Sequence, residues 1–291
     1  MNAIADKVRA EFGFGVDKFP LTGPDGLRTP HYGLFRSDNG ECVGRSSVSQ
    51  RYVPHTNDDV VALVEAAGAV FGGVADVRCY FDHGHYVAVQ PTKEYRVSVF
   101  GTRDNVFPRL ILNAPYGGTG SYDAMLGWYR DACKNMARLR QVESTSVSIR
   151  HTANLRTQMD ELLSAFGQLE ANWSNLTTVI RGMEERRVRM TDFLTAIYGE
   201  PSEREGRGLT IHKNRTEAIF RRLQRERLAT GRGDIGNDFV VSGWEAFNAV
   251  QGYVQHDATR RGNPTEMARV IRAMRDQHVA HAERLVYEMA V

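Results

Sequence analysis

This chain of 291 residues is short of several things that would make its purpose plain. It has three cysteines, Cys42, Cys79 and Cys133, widely spaced and without a C-x-x-C pair. A disulfide scaffold is therefore excluded, and the thiols are expected to be reduced and packed as small hydrophobes. It has no run of eighteen apolar residues and a mean hydropathy of −0.42, so no helical membrane span is expected. Asp6, Lys7 and Arg9 stand where a signal peptide needs an apolar core, which predicts a cytoplasmic protein. Net charge is only +2, from 37 basic and 35 acidic residues. Split at residue 150, the chain carries 17 basic against 16 acidic residues and then 20 against 19, so neither half is a general polyelectrolyte binder. Also missing are the G-x-x-x-x-G-K-[ST] phosphate loop, G-x-S-x-G, a paired-carboxylate motif and a Cys/His pair in a catalytic context. No catalytic residue, cofactor or metal is expected on that basis.

What is present is charge concentrated locally. Arg207 to Arg232 holds eight basic residues against Glu217 and Glu226, and residues 130–150 hold five against Asp131 and Glu143. Only five basic residues in the whole chain are lysine. Arginine forks match phosphates and stack on bases, although a GC-rich coding sequence produces the same excess.

The pattern of elements predicts an α+β fold: an antiparallel sheet with hairpins and packed helices, followed by a helical C-terminal region. Residues 1–30, punctuated by Gly13, Gly15, Pro20, Gly23, Pro24, Gly26 and Pro30, read as an irregular arm. A β-rich α+β core is expected over 31–151. It opens with a hairpin around Asp38-Asn39-Gly40 and a helix capped by Asn57 and stopped at Gly72-Gly73. A second hairpin follows at Asp82-His83-Gly84-His85, and a helix is expected from Ser121 to about Arg140. A helical region is expected over 152–291. Its apolar stripe from Leu155 to Met183 marks one long helix or a hairpin broken near Asn172–Asn175. A polar, Gly-rich loop is expected near 199–213, then an Arg-rich helix started by Asn214 and Glu217, a Trp244 helix, and a last helix from Pro264-Thr265.

Four clusters carry candidate chemistry. Cys79, Asp82, His83 and His85 are metal-ligand types, but a hairpin must turn among them and alternate residues face opposite ways. His278 and His281 share a helix face without a supporting carboxylate motif. Gly117-Gly118-Thr119-Gly120-Ser121 before a helix could cradle an anion. The fourth cluster is arginine with tyrosine: Arg36, Arg45, Arg51 and Tyr52 on the first hairpin, Arg138, Arg140 and Arg150 around the last strand, and Lys213, Arg215, Arg221, Arg222 and Arg225 on the Arg-rich helix. Arginine beside tyrosine on an exposed face can hold a phosphodiester and stack a base.

Four short stretches, in this order, resemble a family found in phages and plasmids and catalogued as a domain of unknown function. They are Arg36-Ser37-Asp38 with Gly40 and Gly44 leading to Val48-Ser49-Gln50-Arg51-Tyr52; Cys133-Lys134-Asn135-Met136; Ile149-Arg150-His151-Thr152; and Trp244-Glu245-Ala246-Phe247-Asn248-Ala249-Val250. Met136 stands where that pattern often has glycine. The order of elements also resembles single-strand annealing recombinases of the RecT, Redβ and Erf kind, and at that level the inference is by analogy. The resemblance implies an ATP-independent single-stranded DNA binding and annealing protein of a phage or plasmid recombination system, located in the host cytoplasm. It implies a ring or helix of identical subunits gripping the backbone in an Arg-lined groove, with a phage nuclease as a further partner and no membrane contact. The alternatives are an oligomeric interaction protein of host takeover or counter-defence without nucleic-acid binding, and a metal enzyme using His83, His85, His278 or His281.

Overall fold

The computed structural model describes residues 3–44, 46–92, 97–99, 103–117, 121–139, 146–150, 159–258 and 264–288. The chain divides into two compact units. Unit 1 comprises Met1–Glu94, Arg109–Leu126 and Ser146–Asn172; unit 2 comprises Tyr95–Pro108, Gly127–Thr145 and Trp173–Val291.

Unit 1 opens with α1 (Ala3–Glu11) and β1 (Val16–Thr22), where an irregular arm was expected. The glycines and prolines misled because the apolar residues between them are anchors: Val8, Phe12 and Phe14 are all buried. β1 pairs antiparallel with β2 (Arg28–Arg36), so the regular hairpin of this region turns at Gly23–Leu27. The expected turn at Asp38–Gly40 does form, with Gly40 at φ +71° and its N–H donating to the Arg36 carbonyl. Its return arm, however, is reduced to the isolated bridges Phe35↔Cys42 and Tyr32↔Val48.

α2 (Asn57–Val70) is capped one residue earlier than expected. Thr56 and Asp59 form a reciprocal capping box, while the Asn57 amide donates to the carbonyls of Phe12 and Phe14. The helix ends at Phe71, followed by Gly72 and Gly73 at positive φ. β3 (Val74–Phe81) and β4 (Gly84–Pro91) make the second hairpin as expected, in the register Val77↔Val89, with His83 at φ 52° in the turn.

The next strands are β5 (Val97–Ser98), β6 (Asn105–Pro115), β7 (Ser121–Arg130), β8 (Asn135–Ala137) and β9 (Ser146–Arg150). Within unit 1, β4 neighbours β6 in the register Val87↔Leu112, and β9 pairs with β7 in the register Ala124↔Val147. β7 and β8 replace the helix expected over 121–140. Tyr122, Ala124, Leu126 and Trp128 are buried at every second position, which is strand periodicity and outweighs the coincidental Met125/Tyr129/Cys133 stripe. α3 (Met159–Ala171) closes unit 1, and the break expected near Asn172–Asn175 falls at Asn172.

Unit 2 contains α4 (Trp173–Glu185), β10 (Arg187–Arg189), α5 (Met190–Tyr198), α6 (Gly206–Thr230), β11 (Val240–Ser242), α7 (Gly243–Gly252), a π-turn at Tyr253–Asp257, α8 (Glu266–Arg275) and α9 (Gln277–Glu288). The loop expected near 199–213 is mostly the start of α6, which begins at Gly206 and runs for 25 residues. His212 explains the difference: it is buried, its Nε2 lies 3.1 Å from the Gly199 carbonyl, and Asn214 and Glu217 are interior to the helix. The single last helix is broken at Asp276, whose carboxylate accepts the N–H groups of His278 and Val279.

α7 is buried along its whole length and starts on a Ser242/Glu245 capping box. Trp244 and Phe247 pack on Trp128. The class is α+β, with antiparallel sheets and with helices concentrated in the C-terminal half, as expected. Among the described residues no helix is long and apolar enough to cross a membrane.

Candidate nucleic-acid interface

The Arg-rich stretch splits into two populations once helical geometry is imposed. Along α6, His212, Ile219, Arg222, Leu223 and Glu226 are buried, and Arg222 is only 8 % exposed. Arg222 Nε donates to Asp257 Oδ2 at 2.5 Å and its Nη1 to Glu226 Oε1 at 3.2 Å. Glu226 also accepts from Arg130 Nη1 at 2.5 Å, and Arg130 forks onto both oxygens of Asp104 at 2.7 and 2.8 Å. Trp244 Nε1 donates to the same Asp104 carboxylate at 3.0 Å.

Burial opposes the Arg130 charge, but the carboxylates of Asp104 and Glu226 more than reverse it, holding its pKa well above the usual arginine value. Two further arginines of the stretch are tied down likewise: Arg227 to Glu245 at 2.6 Å, and Arg232 to Glu184. A large share of the local excess of positive charge is thus cancelled inside unit 2.

Around this ionic chain lies a neutral one. Asn135 donates to the Asn248 carbonyl at 3.2 Å, and its Oδ1 accepts from His256 Nε2 at 3.1 Å. Gln251 reaches the Met136 carbonyl and Gln255, whose Oε1 accepts the Met136 N–H. A Cβ on Gly252 would stand 2.8 Å from Arg222 Cδ and 2.9 Å from Asn135 Oδ1, so the residue must be glycine for the two networks to meet. Two of the short motifs, Cys133–Met136 and Trp244–Val250, therefore come together as one buried polar core. Burial pushes the Cys133 thiol up to about 12, and that of Cys79 to about 12 as well, so both are protonated and unreactive.

The other population of α6 faces a groove of about 880 Å³. Arg207, Ile211, Arg215, Ala218 and Arg221 recur on its α6 wall at spacings of four, four, three and three, which is one helical face. The Arg215 guanidinium lies 4.7 Å from the Tyr198 ring centroid, and His278 packs on that ring at 4.9 Å. The π-turn supplies Tyr253 and Asp257 to the opposite wall, its i→i+5 hydrogen bond running from Ala258 N–H to the Tyr253 carbonyl at 2.8 Å. Such turns are frequent at functional sites.

Among the described residues no carboxylate pairs with Arg207, Lys213 or Arg215. Arg221 and Arg225 make only long, exposed contacts to Glu217 (3.7 Å) and Asp257 (3.5 Å). The groove's own acids are committed, Asp257 to Arg222 and Asp276 to the start of α9. Among the described residues no cluster of three or more His, Cys, Asp and Glu is placed to hold a metal.

Of the expected contact residues, Arg215 and Arg221 line this groove, Lys213 and Arg225 are exposed on α6, and Arg222 is spent in the core. Arg138 is half-buried in unit 2. The first-hairpin set belongs to unit 1. There Arg36 forks onto Asp38 at 2.9 and 2.6 Å and stacks on Phe14 at 3.8 Å, a hydrogen bond that raises the arginine and lowers Asp38 below the usual carboxylate range.

Tyr52 is 9 % exposed, packed with Leu34, Val43, Val48 and Tyr116, and its hydroxyl accepts the Gly117 N–H at 3.3 Å. Its ring is a core ring and has no free face for a base; alternation places it inward because Val48 and Tyr52 share that core. Arg51 is exposed. Arg45, Arg140, the Arg150 side chain and Gly118-Thr119-Gly120 lie outside the described residues.

The histidines expected as possible ligands are engaged otherwise. His83 Nδ1 lies 2.8 Å from the Val43 carbonyl, and His85 Nδ1 lies 2.9 Å from His55 Nε2 in an aromatic interior. Sequence reading missed Tyr198, Tyr253 and Arg207 as groove residues. The i, i+4, i+8 rhythm of Arg207, Ile211 and Arg215 was available to find the last; nothing local marked a π-turn.

Comparison with curated proteins and with solved structures returned no match to either. Residues 45–286 match the model of the family described as a domain of unknown function, DUF932, a span that includes both the buried polar core and the groove. With most of its length inside that match, the chain belongs to the DUF932 family.

Proposed function

We propose that the chain binds single-stranded nucleic acid, single-stranded DNA above all, by its phosphate backbone in the α6 groove, and that subunits side by side on one strand anneal it to a complement without a nucleotide cofactor. The observation that carries the reading is the Arg215 guanidinium stacked on Tyr198 in a groove whose Asp257 is paired with Arg222 and whose Asp276 caps the start of α9. Arginine fixed on an aromatic ring, with more arginine along the same wall, is how a non-sequence-specific groove grips a strand. Arg207 and Arg221 lie fourteen residues apart on α6, about 21 Å of helix axis, enough length for several phosphates. The resemblance in element order to annealing recombinases supports annealing rather than storage of the strand, and a recombination setting with a partner nuclease.

The test is binding of a labelled single-stranded oligonucleotide across a salt series, read beside particle size. Affinity is expected to fall steeply with salt. Each phosphate contact contributes about 0.7 to the logarithmic slope, so the triple variant Arg207→Ala, Arg215→Ala, Arg221→Ala should flatten it by about 2. Absence of binding at low salt, or a triple variant indistinguishable from the parent, overturns the proposal; an oligomer without oligonucleotide binding selects the interaction-protein alternative.

A further inference from the structure

We infer that the groove contains a defined seat for one phosphate group, in which the Tyr198 hydroxyl donates a hydrogen bond to a phosphate oxygen while Arg215, held on the Tyr198 ring, supplies the charge. The inference rests on the reading of the groove as phosphate-binding and adds to it a residue and a chemistry that charge counting does not supply.

Tyr198 is the last residue of α5, 4 % exposed, and its hydroxyl has no hydrogen-bond partner among the described residues. Buried polar side-chain atoms are nearly always satisfied, so an orphaned donor at a groove wall points to a partner that arrives with a ligand. Burial pushes the phenol up, leaving it a hydroxyl that donates at any ordinary pH. The groups that act electrostatically on it, Arg215, Asp276 and Tyr253, all line the same groove.

The seat is also rigid. The Tyr198 carbonyl accepts from Arg204, the Gly199 N–H returns to the Thr195 carbonyl at 2.7 Å, and His212 of α6 reaches the Gly199 carbonyl. The ring is held between the Arg215 guanidinium and His278. A pre-placed neutral donor beside a pre-placed cation suits a tetrahedral oxyanion group, because two of its oxygens can be met at once from different directions.

The phosphate could be an internal phosphodiester of the strand or a terminal phosphate monoester, and the measurement separates them. Oligonucleotides of one sequence, with a 5′-phosphate or a 5′-hydroxyl, are titrated against the full-length parent, Tyr198→Phe and Arg215→Ala across the same salt series. Tyr198→Phe keeps the ring and its stacking but removes the donor. It is expected to weaken binding about 5- to 10-fold at every salt concentration, the worth of one ordinary hydrogen bond, with the slope unchanged. Arg215→Ala is expected to weaken binding and to lower the slope by about 0.7.

Equal losses on both oligonucleotides assign the seat to an internal phosphodiester; a loss confined to the 5′-phosphorylated one assigns it to a terminal monoester. If the parent binds with a steep salt dependence and Tyr198→Phe binds identically, the seat is refuted and the groove reading stands. If the parent binds neither oligonucleotide, both fall. The thermal midpoint of Tyr198→Phe is the control for a structural hydroxyl: it is expected to be unchanged or raised, and a clear drop refutes the seat.

Discussion

The two units bury polar groups by opposite means. Unit 1 buries its polar groups mostly without charge, the exceptions being Asp59 in the α2 capping box and Arg109, which donates to Gln90. His55 and His85 share a hydrogen bond, His55 lies flat on Tyr116 at 4.2 Å, and His85 is 1 % exposed among Phe12, Phe14 and Phe81. Its Arg36–Asp38 pair stays near the surface. Unit 2 instead buries an alternating chain of charges, Asp104, Arg130, Glu226, Arg222 and Asp257, with a second knot of Arg227, Glu245, Arg232 and Glu184. The difference teaches that a count of arginines is not a count of available cations. In unit 2 the same helix provides interior ion pairs on one side and a free cationic wall on the other.

The largest expected effect breaks that contrast at its centre. Arg130→Met keeps the volume but strands Asp104 and Glu226 without their shared cation. Removing one partner of a buried pair costs about 3–5 kcal/mol, because the remaining charge is left uncompensated. The chain's three tryptophans, Trp128, Trp173 and Trp244, all belong to unit 2, so urea unfolding followed by tryptophan fluorescence reads this unit. The matching change in unit 1, Arg36→Met, is expected to leave stability within experimental scatter, since exposed pairs contribute little. A loss of under about 1 kcal/mol for Arg130→Met would mean the network carries no structural charge.

Acid sharpens the comparison. Burial lowers His85 to about 3, and burial with the nearby Arg222 charge lowers His256 to about 4. Both bind fewer protons folded than unfolded below the ordinary histidine value of about 6.5. Stability is therefore full above that value and falls with pH beneath it, down to the folded pKa of each group. At pH 5 the His85 contribution alone should have dropped by about 2 kcal/mol. His256 should cost about as much at pH 5 but stop costing sooner, nearer pH 4. Hydrogen exchange of β4 amides at pH 7 and pH 5, corrected for intrinsic rates, reads unit 1; tryptophan fluorescence reads unit 2. Equal protection of β4 at the two pH values would show that His85 takes up its proton as readily in the fold as in the unfolded chain.

Legibility in the sequence followed the same division. Elements with one clear period and a terminal signal were readable: α2 up to Gly72-Gly73, the β3–β4 hairpin, α7, and the break before α4. β7 was misread because Tyr122, Ala124, Leu126 and Trp128 alternate while Met125, Tyr129 and Cys133 also recur at every fourth residue. The choice between these periods is made by which residues end up inside, and that depends on strands far away in sequence. α1 was missed because glycine and proline are loud and the Val8–Phe12 anchor is quiet. At the site, the Arg-rich helix was legible as charge. Which arginines remain available was not, because their partners Asp104, Glu184, Glu245 and Asp257 come from remote segments. Tyr198 and the π-turn carry no local signal at all; both become visible only when α5, α6 and the end of α7 are brought to one groove.

The smallest expected effect tests a single uncharged hydrogen bond in the interior of unit 1. Tyr52→Phe leaves the packing with Leu34, Val43 and Val48 in place and deletes the hydroxyl that accepts the Gly117 N–H. One uncharged hydrogen bond contributes about 1 kcal/mol, several-fold less than the Arg130 loss in unit 2. Hydrogen exchange in β2 is the readout for the unit that holds Tyr52. Since the ring sits in the core, oligonucleotide affinity should not change, and it should not change in Tyr52→Leu either, where a ring used for base stacking would cost about 1–3 kcal/mol per base. A Tyr52→Leu protein that keeps its fold but loses oligonucleotide affinity would move the binding face to unit 1 and leave the α6 groove as a bystander.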